Sequence, residues 1–332
     1  MLNGKNILIT GGTGSFGKSF TRHVIENYKP GKLIIFSRDE WKQFQMRQEF
    51  EQEFGQEAAK LRFFLGDVRD LERLQRAFNG VDIVVHAAAL KQVPVLEYNP
   101  FEAVKTNILG SKNVINAAVE QNVDKVLFIS TDKAVQPINL YGSTKLCAEK
   151  LFIDGNSYSQ SKTLFSCVRY GNVIGSRGSI IETLLKNKGA DSVQITDERM
   201  TRFWITLEQS FELVVFALEN MNGGEIFIPK IPSMKLMDLF ETIVPGVKRE
   251  IIGIRPGEKL HEVLLPNEEA RHAIELGKYF VVLPEYEEIF DIAERFGKLI
   301  KAGRKLPPDF CYTSDSNKDW LTQDDLKKII KI

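Results

Sequence analysis

The stretch that decides the fold is residues 7–17, ILITGGTGSFG, near the start of the sequence. Its first four residues predict a short buried strand, and a helical pattern begins at Lys18. Between them, glycines at a spacing of three allow a tight turn in which backbone can approach a pyrophosphate at a helix N-terminus. We therefore predict a dinucleotide site. Its first contacts would be Gly11, Thr13, Gly14, Ser15, Phe16 and Gly17.

Similar apolar runs recur along the first half of the chain, with helical patterns between them. Runs that are apolar almost throughout predict parallel strands buried on both faces, and their alternation with helices predicts an α/β fold with a Rossmann-type doubly wound parallel sheet. The predicted strands are residues 6–10, 32–36, 61–65, 82–86, 125–130 and 164–169.

The second half of the chain has a looser pattern, and glycine and proline become frequent after about residue 170. We predict a nucleotide-binding domain over residues 1–170. A smaller, C-terminal substrate-binding lobe would be built mainly from residues 171–332, and we allow for the chain to cross between the two lobes.

The charge balance and cysteine content exclude several classes of function. With 44 basic and 44 acidic residues the formal net charge is zero, so we expect neither nucleic acid nor a membrane as partner. The cysteines number 3 and show no metal-ligand spacing, so no metal site is expected. No run of about 18 apolar residues occurs, and little sequence precedes the first strand. We expect a cytoplasmic protein.

The end of the second predicted strand bears on the choice of dinucleotide. A carboxylate at this point usually holds the ribose 2′-hydroxyl of NAD, whereas an arginine can pair with the 2′-phosphate of NADP. Here Ser37 and Arg38 precede Asp39, and Lys42 follows in the next helix. We favour NADP, held by these four residues. The alternative is that Arg38 is a solvated charge and Asp39 takes the ribose of NAD.

Two further segments lie where a cofactor would pass. Asp67 and Val68 follow the third strand, where a side chain could meet the adenine amino group. An Asp67 that merely caps the next helix is an equally open alternative. Ala87, Ala88 and Ala89 follow the fourth strand, and their small side chains would let the backbone lie close to the cofactor.

The segment 141–145, YGSTK, places a tyrosine and a lysine one helical turn apart. An ammonium near the phenol favours phenolate, so we expect Lys145 to lower the pKa of Tyr141. Such a tyrosine can take a proton from a substrate hydroxyl while a hydride leaves for the cofactor.

Three polar residues, Thr131, Asp132 and Lys133, follow the fifth strand, whose end faces the crevice of an open α/β sheet. Thr131 could hydrogen-bond a hydroxyl or keto oxygen, and the next two residues are an acid and a potential base. The alternative is an ordinary solvated ion pair. A lysine base must be neutral, so this interpretation needs a Lys133 pKa depressed by burial or nearby cations.

Together these motifs resemble the extended short-chain dehydrogenase/reductase family of nucleotide-sugar enzymes. Segments 169–173 (RYGNV), 200–204 (MTRFW) and 255–259 (RPGEK) extend the resemblance over essentially the whole chain. Retaining sugar 4,6-dehydratases of the family carry Asp-Glu after the fifth strand. This chain has Asp132-Lys133, as the inverting members do, which implies inversion at C5.

The resemblance also implies substrate, mechanism and assembly. It implies UDP-N-acetylglucosamine as substrate, in the first step of pseudaminic acid synthesis for flagellin glycosylation, and a homo-oligomer, with a hexamer as the family-based expectation. Tyr141 would take the C4 hydroxyl proton, Lys133 the C5 proton, and Asp132 would protonate the departing C6 hydroxyl. Val173 would join the cofactor contacts. The expected substrate contacts are Lys91, Thr131, Asn172, Arg177, Thr201, Arg202, Arg255 and Glu258.

Two other functions remain open at this point. A retaining UDP-sugar dehydratase or a UDP-sugar 4-epimerase would use the same tyrosine and lysine, although an epimerase needs no acid to expel a hydroxyl. A regulatory protein could bind NADP without turnover, but such proteins usually lose the tyrosine or lysine, and both are present here.

Overall fold

The computed structural model describes residues 1–157, 162–176, 178–187, 189 and 191–331. Strands and helices alternate through most of this length. The strands are β1 (Asn6–Thr10), β2 (Lys32–Ser37), β3 (Leu61–Leu65), β4 (Ile83–His86), β5 (Lys125–Ile129), β6 (Leu164–Val168), β7 (Asn172–Val173), β8 (Ser192–Ile195), β9 (Thr201–Ile205), β10 (Ile226–Pro229), β11 (Ser233–Lys235), β12 (Lys248–Ile251), β13 (Val263–Leu265), β14 (Ala273–Leu276), β15 (Tyr279–Val282), β16 (Arg304–Lys305) and β17 (Tyr312–Thr313).

Helices connect these strands, and a π-helical segment, Val104–Leu109, lies within one of the connections. The α-helices are α1 (Ser15–Asn27), α2 (Glu40–Phe54), α3 (Leu71–Phe78), α4 (Val93–Tyr98), α5 (Pro100–Ala103), α6 (Gly110–Glu120), α7 (Leu140–Asp154), α8 (Ile180–Lys186), α9 (Leu207–Asn220), α10 (Leu236–Ile243), α11 (Asn267–Ala270), α12 (Glu287–Phe290), α13 (Ile292–Ala302) and α14 (Gln323–Ile330). None of the helices in the described part of the chain combines the length and the apolar character that crossing a bilayer requires.

One ten-stranded sheet forms the centre of the molecule, in the order β16-β14-β15-β10-β6-β5-β4-β1-β2-β3. From β3 through β10 all neighbouring strands are parallel, and β15, β14 and β16 add an antiparallel edge. The predicted doubly wound parallel sheet is confirmed. Because parallel strands end at the same edge, the residues that follow β1, β4 and β5 converge there.

All six predicted strands form, but one burial prediction is wrong. The strands β1, β2, β4, β5 and β6 are buried almost throughout. In β3 only Leu61 is buried, and Leu65 is 44% exposed. The physical reason is its position at the outer edge of the sheet, where no further strand covers it.

Smaller sheets β11-β9-β7 and β12-β8 form the frame of a second lobe. Its own apolar core includes Ile195, Met200, Trp204 and Leu239. The second half of the chain also returns to the main sheet, because β10, β14, β15 and β16 all belong to it. The chain therefore crosses between the lobes, and the domain boundary near residue 170 stays a prediction.

Candidate active site

The turn after β1 is packed so closely that side chains would not fit. Gly11 has a φ of +66°, and a Cβ added to it would lie 2.9 Å from the Cα of Ala88. A Cβ on Gly17 would lie 2.6 Å from the Cα of Gly12. The two glycines at the ends of the motif are thus required by backbone geometry, as the sequence predicted for a nucleotide turn.

The start of α1 offers backbone groups rather than side chains to a ligand. Its N-cap residue is Gly14, no side chain accepts a hydrogen bond there, and the first turn contains no acidic residue. The partial positive charge of the helix end is therefore not compensated by a carboxylate, which suits a pyrophosphate. Thr13 is buried, and the ring of Phe16 stacks on Phe20 at 5.5 Å, so Phe16 presents its backbone rather than its ring.

The residues after β2 form the predicted 2′-phosphate region. Asp39 is the N-cap of α2 and accepts from the backbone N–H of Lys42 at 3.0 Å, while the Lys42 ammonium lies 2.6 Å from its carboxylate. The side chain of Lys42 and the hydrogen bonds of this cap lower the pKa of Asp39. Arg38 is 55% exposed, and its guanidinium lies 3.7 Å from Asp67. Ser37 is buried and accepts from Gln43 Nε2 at 3.0 Å.

Asp67 lies beside this region but is engaged by a neighbour. Its two carboxylate oxygens accept from the backbone N–H of Arg69 at 3.0 Å and from the Arg69 guanidinium at 2.7 Å. The residue that caps α3 is Asp70, so the alternative interpretation of Asp67 as a helix cap is wrong. Val68 is buried, and a Cβ added to Gly110 would lie 2.8 Å from its side chain.

A buried hydrogen-bond chain fixes the alanines after β4. The backbone N–H groups of Ala87 and Ala88 both donate to Thr10 Oγ1 at 3.2 Å. The Thr10 hydroxyl in turn contacts His86 Nδ1 at 2.7 Å. Burial lowers the pKa of His86 to about 3, so its ring is neutral and Nδ1 accepts. Ala89 follows, and this chain holds the alanine segment against the nucleotide turn.

The acid and base candidates after β5 are in direct contact. Asp132 is fully buried, and its Oδ1 accepts from Lys133 Nζ at 3.0 Å and from Thr131 Oγ1 at 2.8 Å. Its other oxygen, Oδ2, is buried and has no hydrogen-bond partner among the described residues. The Lys133 ammonium also lies 3.3 Å from Asn172 Oδ1 and 3.5 Å from Glu262 Oε1. Three acceptors therefore surround the three N–H groups of one ammonium, and the solvated surface pair is excluded.

The charge state of Lys133 differs from the expectation for a base. Burial lowers its pKa, but the carboxylates of Asp132 and Glu262 outweigh burial and raise the pKa above its ordinary value. The expected depression is therefore wrong for the protein without substrate. Any role as base needs a proton to leave this ammonium first.

Tyr141 and Lys145 lie one turn apart on α7, as predicted, but do not affect one another as expected. Burial raises the pKa of Tyr141 to about 12, although the Lys133 ammonium lowers it. Lys145 donates to Ile129 O at 2.6 Å and lies over the Phe128 ring, and burial lowers its pKa to about 7. The predicted lowering of the Tyr141 pKa by Lys145 is wrong for the protein without cofactor.

The helix that carries this pair is packed tightly on the acid–base segment. Its N-cap residue Asn139 accepts from the backbone N–H of Gly142 at 2.8 Å. A Cβ on Gly142 would lie 2.1 Å from the carbonyl oxygen of Lys133. Glycine at this position thus brings the start of α7 against the Lys133 backbone.

Asn107, which the sequence analysis missed, joins the loop after Ala89 to α7. Its side-chain amide accepts from Leu90 N at 2.8 Å and donates to Leu90 O at 2.9 Å and to Thr144 Oγ1 at 3.0 Å. The residue lies in the π-helical segment, an irregularity that is frequent at functional sites. Nothing in the local sequence indicated that irregularity.

Loops of the second lobe close the other side of the crevice. Asn139 donates to Gly257 O at 2.8 Å, and Lys259 donates to Val135 O at 2.5 Å. Arg255 is 56% exposed and lies 4.0 Å from Glu258, whose Oε2 is buried without a hydrogen-bond partner among the described residues. The predicted substrate contacts at the loop of residues 255–259 thus do lie next to the catalytic segment.

The other predicted substrate contacts differ in whether their side chains lie at the site. Arg202 is buried and lies 3.7 Å from Glu262, so it is part of the site. The hydroxyl of Thr201 is buried between His261 and Ser314 rather than turned to the crevice. Desolvation and the charge of Lys133 lower the pKa of Lys91.

Two further predictions concern Val173 and Arg177. Val173 is half-buried in β7, next to Asn172. Arg177 lies outside the described residues. Within the described ranges no group of three or more His, Cys, Asp or Glu side chains is arranged to hold a metal ion.

Comparison with known proteins adds independent findings. The family model described as polysaccharide biosynthesis protein matches residues 7–284. An inverting UDP-N-acetylglucosamine 4,6-dehydratase of Campylobacter jejuni subsp. jejuni serotype O:2 is 49% identical over 334 residues, which cover 99% of this chain and 98% of the relative. A UDP-glucose 4-epimerase of Rickettsia akari is 39% identical over 337 residues, which cover 98% of this chain and 95% of the relative.

Solved structures show the same fold. Pen from Bacillus thuringiensis superimposes with a TM-score of 0.87 at 37% identity, and the match covers 99% of both chains. A dTDP-glucose 4,6-dehydratase from Streptomyces venezuelae gives a TM-score of 0.68 at 19% identity, over 77% of this chain and 86% of that one. At that identity the second match supports the fold alone.

Proposed function

This chain belongs to the polysaccharide biosynthesis protein family, and on that premise we propose that it is a UDP-N-acetylglucosamine 4,6-dehydratase that inverts C5. The observation that carries the proposal is the contact of 3.0 Å between the buried Asp132 and the part-buried Lys133, an acid and an amine beside Tyr141. The similarity to the inverting dehydratase of Campylobacter jejuni supports it. The product would be UDP-2-acetamido-2,6-dideoxy-β-L-arabino-hex-4-ulose, for pseudaminic acid synthesis and flagellin glycosylation.

The cofactor that fits the nucleotide turn is a dinucleotide, and we propose NADP. The support is the side-chain-free turn at Gly11 and Gly17, the uncapped start of α1, and the exposed Arg38 guanidinium beside the ribose position. When bound, the cofactor would supply hydride chemistry by taking a hydride from C4 and returning it to C6. The cytoplasmic location and the homo-oligomer, with a hexamer as the expected form, stay predictions.

In the proposed reaction Tyr141 accepts the C4 hydroxyl proton. To act as a base it must first be a phenolate, which its burial opposes. The Lys133 ammonium and the Thr131 hydroxyl favour the phenolate. The proton that leaves C4–OH forms the phenol again while the C4 carbon becomes a ketone, and the ketone acidifies the hydrogen on C5.

The contact between Asp132 and Lys133 provides both an acid and a base through one proton transfer. If the ammonium proton moves along the 3.0 Å hydrogen bond, Asp132 becomes a neutral acid and Lys133 a neutral amine. Lys133 then removes the C5 proton, the C6–O bond breaks, and Asp132 protonates the departing hydroxyl to give water. The pair returns to its ionised form, so its proton count is the same before and after elimination. A second proton must reach C5 from the opposite face.

The substrate's uridine diphosphate would be held by the second lobe. Arg202, Arg255 and Lys259 supply cations at the crevice, and Glu258 has a buried carboxylate oxygen available for hydroxyl groups. Asn172 lies beside Lys133 and could contact the sugar. The N-acetyl group at C2 rests on the similarity to the named dehydratases.

A UDP-sugar 4-epimerase is the second candidate, favoured by the similarity to the Rickettsia akari enzyme. It would use Tyr141 and Lys145 in the same way. It would give the pair of Asp132 and Lys133 no role in the reaction, because no C6 hydroxyl departs in an epimerisation.

The test is incubation of the purified protein with UDP-N-acetylglucosamine, without added cofactor, and mass spectrometry of the nucleotide sugar. We expect loss of one water, and no such loss with Lys133→Ala, which should keep its nucleotide bound as judged by absorbance. A change of sugar configuration without loss of water, detected by proton NMR because epimers have equal mass, would support the epimerase. Unimpaired dehydration by the variant would contradict the role of Lys133.

A further inference from the structure

Glu262 is a carboxylate in the acid–base site for which the sequence motifs gave no role. It precedes β13 and is 2% exposed. Its backbone N–H donates to Ser314 Oγ at 2.9 Å, and its carbonyl oxygen accepts from Ser314 N at 2.8 Å. The segment that follows β17 therefore fixes the backbone of Glu262, which places the carboxylate 3.5 Å from Lys133 Nζ.

Three cations surround this carboxylate. Besides Lys133, Arg202 Nε lies 3.7 Å from Oε1 and Lys259 Nζ lies 3.9 Å from Oε2. Arg202 also donates to Thr201 O at 2.7 Å, and Lys259 to a main-chain oxygen, so both cations are anchored independently of Glu262. Oε2 is buried without a hydrogen-bond partner among the described residues. A carboxylate this close to three cations acts on them through its negative charge.

The charged groups around Lys133 show why Glu262 affects its protonation. The charged or titratable groups that face Lys133 are Lys91, Asp132, Tyr141, Arg202, Lys259 and Glu262. Among these groups the carboxylates are Asp132 and Glu262. In the proposed reaction Asp132 takes up a proton and loses its charge. Glu262 is then the anion that still faces Lys133, and it stabilises the ammonium that forms when Lys133 removes the C5 proton.

We propose that Glu262 is a positioning residue that, together with Asp132, sets the charge state of Lys133. The inference deepens the proposed function and rests on it for its meaning in catalysis. The effect of Glu262 on the protonation of Lys133 does not depend on the proposed function and can be measured in the protein without substrate. Glu262 acts through Lys133, and no contact of Glu262 with the substrate is needed.

The experiment measures the protonation of Lys133 directly, in the purified full-length protein without substrate. The protein is labelled with trace acetic anhydride over a range of pH, and acetylation of Lys133 is quantified by mass spectrometry, because the neutral amine alone reacts. Removing the negative charge in Glu262→Gln should lower the pKa of Lys133. We expect half-maximal labelling at a pH lower by about one unit or more, as is typical for loss of an opposite charge at this distance.

Matched variants make the result specific. Glu269→Gln removes a carboxylate that pairs with Arg169 instead, and should leave the labelling curve of Lys133 unchanged. Glu262→Asp keeps the charge but retracts it by one methylene, and should give a smaller shift in the same direction. This variant also serves as the test if Glu262→Gln does not fold. Labelling curves that superimpose on that of the parent protein for the folded Glu262 variants would overturn the proposal.

A catalytic readout distinguishes positioning from a purely structural effect. With UDP-N-acetylglucosamine, the high-pH limb of kcat/KM should move to lower pH in Glu262→Gln by the same amount as the labelling curve, because the pair of Asp132 and Lys133 must keep one proton to act as an acid. A uniform loss at all pH values, with no shift, would contradict a role through Lys133. If labelling shifts but the parent protein dehydrates no substrate, the electrostatic inference holds and the proposed function fails.

Discussion

The proposal of NADP rather than NAD rests mainly on Arg38. Its guanidinium is 55% exposed and lies 3.7 Å from Asp67, a weak contact from which it can turn towards a 2′-phosphate. Asp39, the competing ribose ligand, is occupied as the cap of α2 and paired with Lys42. This arrangement favours NADP over NAD.

We predict that Arg38→Ala weakens NADP binding by about tenfold or more, since a charge-assisted hydrogen bond contributes about 1.5–3 kcal/mol. Binding of NAD should change little, because NAD has no 2′-phosphate. Calorimetric titration of both nucleotides measures the difference. Arg47→Ala on α2, the helix that follows Arg38, is the control, because the Arg47 guanidinium lies over the Phe63 ring. Equal losses for NADP and NAD would contradict the assignment.

The sequence predicted that Asp132 and Lys133 lie together and that Tyr141 and Lys145 share one helix. It did not predict the directions in which the pKa values of Lys133 and Tyr141 shift. The contact between Asp132 and Lys133 was foreseeable because they are adjacent and follow a buried strand. The raised pKa of Lys133 was not, because besides Asp132 it also depends on Glu262, which a distant segment of the chain brings to the site. The raised pKa of Tyr141 likewise comes from burial beneath the folded lobes.

At the scale of elements, the turn between β1 and α1 is the part most constrained by geometry. Gly11 combines a positive φ with a Cβ position 2.9 Å from Ala88, a backbone neighbour that cannot yield easily. Gly4 also has a positive φ, of +73°, but a Cβ there would meet nothing within 4 Å. A substitution at Gly4 therefore tests backbone strain alone, whereas a substitution at Gly11 tests backbone strain together with a steric clash.

We predict that Gly4→Ala costs about 1–2 kcal/mol of stability, the cost of a left-handed residue with a side chain, and keeps the nucleotide. Gly11→Ala should lose more stability and also most of its nucleotide binding, because the turn must move away from Ala88. Urea unfolding and nucleotide titration measure the two effects. Full nucleotide affinity in Gly11→Ala would show that the close approach is not needed.

Elements were predictable where one local pattern decides them. Apolar runs located β1 through β6 to within a residue or two, because buried parallel strands need continuous apolar sequence. The pattern failed for the burial of β3, whose edge position depends on the order of strands in the sheet. It also left open that Asp70, rather than Asp67, caps α3, since both stand within a few residues of the helix start.

At the scale of the whole molecule, an ion cluster connects α7, the helix that carries Tyr141 and Lys145, to a later segment of the chain. Arg169 is fully buried and makes two hydrogen bonds to Glu149 on α7, at 3.1 and 2.7 Å. It also donates to Glu269 on α11 at 2.6 Å and to Leu264 O at 3.1 Å. One guanidinium thus joins three parts of the fold.

We predict that Arg169→Leu lowers the free energy of unfolding by about 3–5 kcal/mol, because it leaves the buried carboxylate of Glu149 and the part-buried carboxylate of Glu269 without their cation. Urea unfolding followed by circular dichroism measures the loss. Arg199→Leu is the control, since Arg199 is 71% exposed and pairs with Asp197 at the surface, where its removal should leave the unfolding curve unchanged. Similar curves for the two variants would contradict a structural role of the cluster.

The sequence predicted two lobes but could not show how the chain divides between them. Gly- and Pro-rich segments indicated a change of architecture after residue 170. The return of β10, β14, β15 and β16 to the main sheet depends on long-range strand pairing, which local patterns do not encode. For the same reason Glu262 and Asn107, which complete the site from other parts of the chain, escaped the motif-based analysis.

Proton NMR in deuterated water tests directly whether the protein dehydrates UDP-N-acetylglucosamine with inversion at C5. The purified protein is incubated with the sugar nucleotide and no added cofactor. We expect a new C6 methyl signal, deuterium at C5 and the couplings of an L-arabino ring. A methyl signal with the original C5 configuration would contradict inversion by Lys133, and a galacto product alone would identify an epimerase and contradict dehydration.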